Sequence, residues 1–411
     1  MEITNLNQCR ICKGSDLYKF LSFGHIPLSN AFLKKEQLLV DEPFYPLDIC
    51  FCHKCGMVQL KQVVEPSIMF EDYAYFTGAS APMHVHFKEM ASTVIKKFDL
   101  SNGSLVADIG SNDGTLLKEF KDKHMRVLGI EPANNIARLA NDNGIDTINE
   151  YFGANQARLI SSLRGKPRVI TATNVFAHIN DLDDFLNGIY FWLDENGVFV
   201  IEVPYLAELI KNIEFDTIYH EHLSYFAVRP LVELFKRWGM SIIEIEQIGV
   251  HGGTIRVYVV KGESKPSPSV EEMVRREIEL GLDKVETYKD FAKKVKRIRG
   301  KLVSMLKGLK GDGAKIVGYG ASAKGNILLN YCKIGTDIID YIADTTPYKQ
   351  GLFNPGMHIP VVDFYEFYAS SPDYTLLLIW NYADAILKKE SEYIKLGGKV
   401  IVPIPMPYIV E

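Results

Sequence analysis

Short apolar runs alternate with stretches of helical length through the middle of this sequence. SLVADIG, RVLGIEP, RVITATNVF and GVFVIEVPY, between residues 104 and 205, each read as a buried strand, and the segments between them are long enough for helices. Such alternation predicts a parallel, doubly wound α/β sheet. Residues 241–263, SIIEIEQIGVHGGTIRVYVVKGE, give two strand-like runs across a Gly-containing turn, an antiparallel hairpin that closes the sheet. Past KPSPS at 265–269, Phe291, Val295, Ile298, Leu302 and Met305 recur at three- and four-residue spacing and predict one apolar helix face. The basic run KKVKRIRGK (293–301) is interrupted by those apolar positions, so it reads as a solvated helix surface rather than a phosphate or membrane contact. A second α/β unit begins at KIVGYGASAKGN (315–326) and runs through IIDYIAD, TLLLIW and KVIVPIP. Residues 1–70 differ, being rich in Cys, Pro and aromatics with few helical signals, as expected of a small stapled module. The pattern divides the chain into 1–70, 71–265 and 266–411.

The length agrees with that division, since 411 residues exceed the roughly 250–300 at which single hydrophobic cores stop growing. Charged residues make up 24% and the net charge is −5, without the basic excess that nucleic-acid binding needs. No apolar run reaches about 18 residues, and the start MEITNLNQCRICKG lacks the basic and apolar regions of a signal peptide. These features predict a cytoplasmic protein that engages neither nucleic acid nor membrane; a monomer is the expected state.

Five of the six cysteines lie in the first 55 residues. Cys9-x-x-Cys12 and Cys52-x-x-Cys55 each present two thiolates at the spacing that lets a turn offer both sulfurs to one tetrahedral zinc. Cys50 is a competing ligand. Unrelated buried thiols would need two such pairs to arise by coincidence, and a catalytic zinc is disfavoured because four thiolates leave no open position.

VADIGSNDGTLLKEF (106–120) places a strand, then Gly110, Asn112, Asp113 and Gly114, then a helix; GIEP (129–132) ends the next strand in Glu131 and Pro132. Glycines allow close backbone approach, and an acid at the end of the second strand accepts ribose hydroxyls. The run lacks the G-x-G-x-x-G spacing of dinucleotide folds, and Asp108 before the turn suits S-adenosylmethionine better than a nicotinamide cofactor. A second loop, GYGASAKGN (318–326), again joins a strand to a helix. Gly320, Ser322 and Lys324 there either meet a phosphate at the helix N-terminus or form a packing turn. In TIYHEHLSYF (217–226), Tyr219, His220, Glu221 and His222 are consistent with a surface turn, acid/base chemistry or a metal site. Metal is disfavoured because three adjacent residues cannot share a face, whereas Tyr219 and His222 are neighbours in a helical segment and Tyr219 and Glu221 align in an extended one.

Taken in order, CRIC and CHKC, PLSNAFL (27–33), DYAYFTGAS (72–80), DIGSNDG, NVFAHI (174–179), EVPY (202–205), FDTIYHEHLSYF, HGGTIRVYV (251–259) and GYGASAKGN run nearly the whole length of the chain. In them the sequence resembles the sugar C-methyltransferases of unusual deoxysugar biosynthesis, which methylate C3 of a nucleotide-linked 4-keto-deoxysugar. The resemblance implies a zinc-binding domain over 1–70, a Rossmann-like S-adenosylmethionine domain over 71–265, and a Rossmann-like α/β domain over 266–411 that contributes to nucleotide-sugar binding. It implies a cofactor held by Asp108, Gly110, Asn112, Asp113, Glu131, Pro132 and Asn174. A sugar linked to a nucleotide such as dTDP would meet Tyr75, His178, Tyr219, Gly320, Ser322 and Lys324, although Ser322 stands where many relatives carry proline. Removing a proton beside a carbonyl suits a histidine base; by resemblance His222 is that base, Tyr219 and Glu221 orient the sugar or the imidazole, and His178 and Tyr75 line the pocket. The rival expectations are an O- or N-methyltransferase of a small metabolite and a non-catalytic binding module.

Overall fold

The computed structural model describes residues 3–70, 76–249 and 252–411, so the expected pocket residue Tyr75 lies outside the described residues. The first seventy residues form five short strands, β1 (Ile3–Asn5), β2 (Leu17–Ile26), β3 (Tyr45–Cys52), β4 (Val58–Leu60) and β5 (Gln62–Val64). The next unit supplies β6 (Leu105–Ile109), β7 (Arg126–Ile130), β8 (Thr147–Ile148), β9 (Val169–Thr173) and β10 (Val198–Pro204), then β11 (Ser224–Tyr225), and finally β12 (Met240–Ile248) and β13 (Thr254–Lys261).

Seven of these strands form one sheet in the order β12-β13-β10-β9-β6-β7-β8, parallel except for β13, which runs antiparallel to both neighbours. All five residues of β6, LVADI, are buried, as expected for a parallel strand covered on both faces. The sequence predicts the hairpin at 241–263 but not its order: β13 inserts beside β10, and β12 becomes the edge. Chain order reverses between β6 and β9, and that crevice is where an open α/β sheet receives its ligand.

β11 does not join the central sheet. It pairs antiparallel with β4, Ser224 opposite Gln59 and Tyr225 opposite Val58, and completes a four-stranded sheet β11-β4-β3-β2. The N-terminal sheet is therefore not closed within residues 1–70. A long helix, Val285–Gly311, packs on it through Tyr288, whose ring stacks 4.7 Å from Phe51 and lies 5.1 Å from Phe20. Phe291, Val295, Ile298 and Leu302 are buried as their spacing predicts, but Leu306 takes the last buried position and Met305 lies at its margin, while Lys293, Lys294, Lys296, Arg297 and Lys301 are exposed.

The C-terminal unit has β14 (Ile316–Tyr319), β15 (Ile342–Ala343), β16 (Val361–Val362), β17 (Tyr374–Leu377), β18 (Lys399–Val402) and β19 (Tyr408–Val410). Their order, β16-β15-β14-β17-β18-β19, is a second doubly wound sheet with its reversal between β14 and β17. Among the described residues, no helix is long and apolar enough to cross a membrane.

Candidate active site

The four expected metal ligands converge. Cys9 Sγ lies 3.5 Å from Cys55 Sγ, Cys12 Sγ lies 3.6 Å from Cys52 Sγ, and all four sulfurs fall within 4.8 Å of one another. Sulfurs about 2.3 Å from a tetrahedral zinc would be separated by distances of this size, so the residues fit the ion. Cys50 stays outside the cluster as a buried thiol pushed up to about 11 by burial. The same module carries the TIYHEH turn, because the Leu60 N–H donates to the Leu223 carbonyl at 3.0 Å alongside the β4–β11 pairing, and the Leu223 N–H donates to Ala177 at 2.9 Å.

That turn is not a surface loop. His220 is 1% exposed, edge-on to Tyr45, and burial pushes it down to about 4. Among the described residues, the one group of three or more metal-type ligands is the four cysteines, and it does not include this turn. Tyr219 and His222 come together instead. The Tyr219 hydroxyl lies 3.0 Å from His222 Nε2, and His222 Nδ1 lies 2.9 Å from the Thr217 carbonyl. A carbonyl only accepts, so Nδ1 bears the proton, and the neutral ring keeps its lone pair at Nε2. The His178 ring is 5.1 Å from that of His222 and stacks on Phe70; burial pushes His178 down to about 4. Glu221 Oε1 accepts from Asn30 Nδ2 at 2.7 Å, and Thr217 and Tyr219 are among the partners of the imidazole.

The cofactor-type crevice lies at the ends of β6, β7 and β9. Gly110 adopts φ +64°, and a Cβ there would collide with Val175, so the tight turn after β6 needs a glycine. Glu131 Oε2 accepts from the Asn112 N–H and Oε1 from the Ala133 N–H, both at 2.9 Å. Carboxylate oxygens have lone pairs to spare for hydroxyls as well. Asp108 is 2% exposed, accepts from Thr171 Oγ1 at 2.6 Å, and is pushed up to about 7 by burial. Asp113, expected among the cofactor residues, does not line the crevice. Its carboxylate holds the Gly78 N–H and Thr115 Oγ1, tying residues 77–80 over the loop, where Asn112 Oδ1 also accepts from the Thr77 N–H. Asn174 sits at φ +58° with its N–H on the Glu202 carbonyl. Glu202 itself is buried between His86 Nε2 and Arg256 Nε, at 2.8 and 2.7 Å. Sequence reasoning missed this support; the acid within an otherwise apolar strand was its one signal.

At the C-terminal loop, Ser322 caps the helix Ala323–Cys332: its hydroxyl accepts from the Gly325 N–H and donates to the Leu378 carbonyl, both at 3.0 Å. Ser322 thus holds the loop with a hydroxyl already engaged on both sides. Gly320, at φ +88°, packs against Ile379 and does not line the cavity. Lys324 Nζ is buried without a hydrogen-bond partner among the described residues, over the Trp380 ring at 5.8 Å. Near it, burial pushes Asp216 up to about 6 while Lys324 opposes the shift, and Asp216 accepts from Trp380 Nε1 at 2.6 Å. Lys349, not anticipated from sequence, donates to the Ala321 carbonyl at 2.7 Å, and burial lowers its pKa. Asp344, at the end of β15, accepts from the Ala321 N–H at 2.6 Å, much as Glu131 holds Asn112 in the other sheet.

One cavity of about 640 Å³ joins these parts. Asp108, Gly110, Asn112, Glu131, Pro132 and Asn174 line its cofactor-type side; His178, Tyr219 and His222 line its middle; Ser322, Lys324 and Lys349 line the C-terminal side. Asn30, from the N-terminal module, also faces it, whereas Glu221 does not.

Family models match most of the chain. A zinc binding domain matches residues 9–70, a methyltransferase domain 84–245, and a C-methyltransferase C-terminal domain 249–405. The C-methyltransferase NovU of Streptomyces niveus is 37% identical over 408 residues, covering 99% of this chain and 97% of that protein. Among solved structures, an S-adenosylmethionine-dependent methyltransferase from Clostridium acetobutylicum ATCC 824 is 14% identical at TM-score 0.35, over 44% of this chain and 92% of that one. The magnesium protoporphyrin IX methyltransferase of Synechocystis PCC 6803 with bound SAH is 12% identical at TM-score 0.35, over 44% and 83%. Likeness of that size supports nothing further.

Proposed function

This chain belongs to the sugar C-methyltransferase family and is an S-adenosylmethionine-dependent C-methyltransferase; on that premise we propose that it methylates C3 of a nucleotide-linked 4-keto-6-deoxy sugar, dTDP-linked by family resemblance, through an enolate. The observation that carries this reading is the His222 imidazole, with its proton fixed at Nδ1 by Thr217 and its lone pair at Nε2, in a cavity shared by the cofactor-type crevice and the buried Lys324.

In this mechanism His222 Nε2 takes the C3 proton, and the electron pair of the C–H bond moves toward the C4 oxygen. Asp108, Gly110, Asn112, Glu131, Pro132 and Asn174 would hold the cofactor: the buried acid beneath the turn suits a cationic tail, and the acid ending β7 suits ribose hydroxyls. When bound, S-adenosylmethionine supplies an electrophilic methyl group. Because Nδ1 carries the proton, the Tyr219 hydroxyl donates to Nε2 in the resting site; once Nε2 has taken the C3 proton it donates to the phenol oxygen instead, which frees the hydroxyl to donate to the oxyanion that forms. His178 is neutral at pH 7, so it places no positive charge beside His222 as that ring becomes imidazolium. Lys324 takes the diphosphate, since its buried Nζ has no hydrogen-bond partner among the described residues and its donors are free for phosphate oxygens. Cys9, Cys12, Cys52 and Cys55 would hold zinc in a structural role.

The test is incubation with methyl-labelled S-adenosylmethionine and a panel of 4-keto-6-deoxy sugar nucleotides, with the product read by NMR. A new C–CH3 signal at C3 supports the proposal. An O–CH3 signal would point to hydroxyl methylation, and tight cofactor binding without turnover on any member to a binding module.

A further inference from the structure

Asn30 sits where three parts of the chain meet. Its own segment is tied to the C-terminal unit, because Asn326 Nδ2 donates to the Ser29 carbonyl at 2.7 Å and Leu33 bridges to Phe353. Its side chain is tied to the central unit through Nδ2, which donates to Glu221 Oε1 at 2.7 Å. Glu221 is 5% exposed. An ionised carboxylate only accepts, so Glu221 selects the NH2 end of the amide and leaves the carbonyl end turned from it. No hydrogen bond reaches Asn30 Oδ1 among the described residues, and Asn30 lines the cavity that Tyr219 and His222 also line.

An amide held by its N–H end offers the opposite kind of contact, an acceptor. Within a ketosugar nucleotide, the C4 ketone and the phosphates only accept, so neither can be its partner; ring hydroxyl and amino groups donate. We propose that Asn30 is a specificity-determining residue whose Oδ1 accepts a hydrogen bond from a hydroxyl or amino group on the sugar ring, with Glu221 as the positioning residue that fixes the amide. This rests on the ketosugar reading above. It assigns the N-terminal module a part in substrate choice beyond metal binding.

The experiment measures kcat/KM for pairs of 4-keto-6-deoxy sugar nucleotides that share a nucleotide and differ only by a ring donor at C2 or C3. Wild type should prefer the donor-bearing member of at least one pair by about tenfold, the worth of one neutral hydrogen bond, and Asn30→Ala should bring that ratio close to one. The ratio is insensitive to the folded fraction, since both substrates meet the same enzyme, and an unchanged S-adenosylmethionine affinity checks the central unit separately. Glu221→Gln can hold the amide either way round and should reduce the preference part of the way. If Asn30→Ala keeps the wild-type preference in every pair, the assignment is overturned while the ketosugar reading stands. If wild type neither binds nor methylates any pair, the ketosugar reading itself falls and takes this one with it.

Discussion

The Tyr219 hydroxyl lies 3.0 Å from His222 Nε2, the one ring nitrogen that the Thr217 carbonyl leaves unprotonated. The phenol and the imidazole are therefore in contact before any substrate arrives. In deuterated water, wild type should exchange the C3 proton of the sugar without needing methyl transfer. His222→Ala should abolish that exchange and lower turnover by about 10²–10⁴-fold, the usual contribution of a positioned base. Tyr219→Phe leaves the lone pair in place, so it should still exchange deuterium while turning over more slowly. If His222→Ala exchanges at the wild-type rate, the base lies elsewhere and His178 is the next candidate.

The four cysteines and His222 are joined by one short strand pair. β4 begins three residues after Cys55, and β11 begins two residues after His222. Purified protein should carry one zinc per chain, lost in Cys52→Ser and kept in Cys50→Ser, because only the first belongs to the cluster. Metal affinity in such a module is folding free energy. Removing zinc should therefore raise amide hydrogen exchange across residues 217–225 while leaving cofactor affinity little changed. Unaltered protection of that segment in metal-free protein would disconnect the two sites.

Lys324 provides a separate readout for the sugar nucleotide. Its Nζ is buried without a hydrogen-bond partner among the described residues, so a bound diphosphate would gain a hydrogen bond to a charged group, worth about 1.5–3 kcal/mol. Lys324→Ala should raise KM for the sugar nucleotide by roughly 10–150-fold on that scale, with cofactor affinity unchanged. A KM that does not move would reduce the loop to a packing element.

What the sequence made legible was local. Cysteine spacing, the strand–Gly–helix passages at 106–120 and 315–326, and the apolar helix face at 291–302 each depend on residues close together in the chain. The alternation of strands and helices was enough for a doubly wound sheet. What stayed hidden depends on distant partners: two residues, Ser224 and Tyr225, carry no strand signal until Val58 and Gln59 are placed beside them. Asn30 and Glu221 are 191 positions apart, and no periodicity connects them. Asp113 and Ser322 were legible as polar residues in glycine loops, but their side chains serve nearby backbone groups, as such residues often do in turns and caps.

Asp108 links the cofactor crevice to pH. Burial pushes its carboxyl up to about 7, with Glu131 and Glu202 adding to the shift and Thr171 Oγ1 opposing it. The raised value fixes the sign: the folded protein holds this proton to higher pH than the unfolded chain does. Its contribution to stability is present below about pH 4 and is lost as pH rises to about 7. A cationic ligand reverses the preference, because it favours the ionised carboxylate. The dissociation constant of S-adenosylmethionine should therefore fall by about tenfold between pH 6 and pH 8, as the ionised fraction rises through a midpoint near 7. Asp108→Asn should flatten that profile. Any titration of the ligand itself is common to both proteins, so the difference between their calorimetric profiles reports Asp108 alone. Parallel profiles would mean that the cofactor's cationic end lies away from β6.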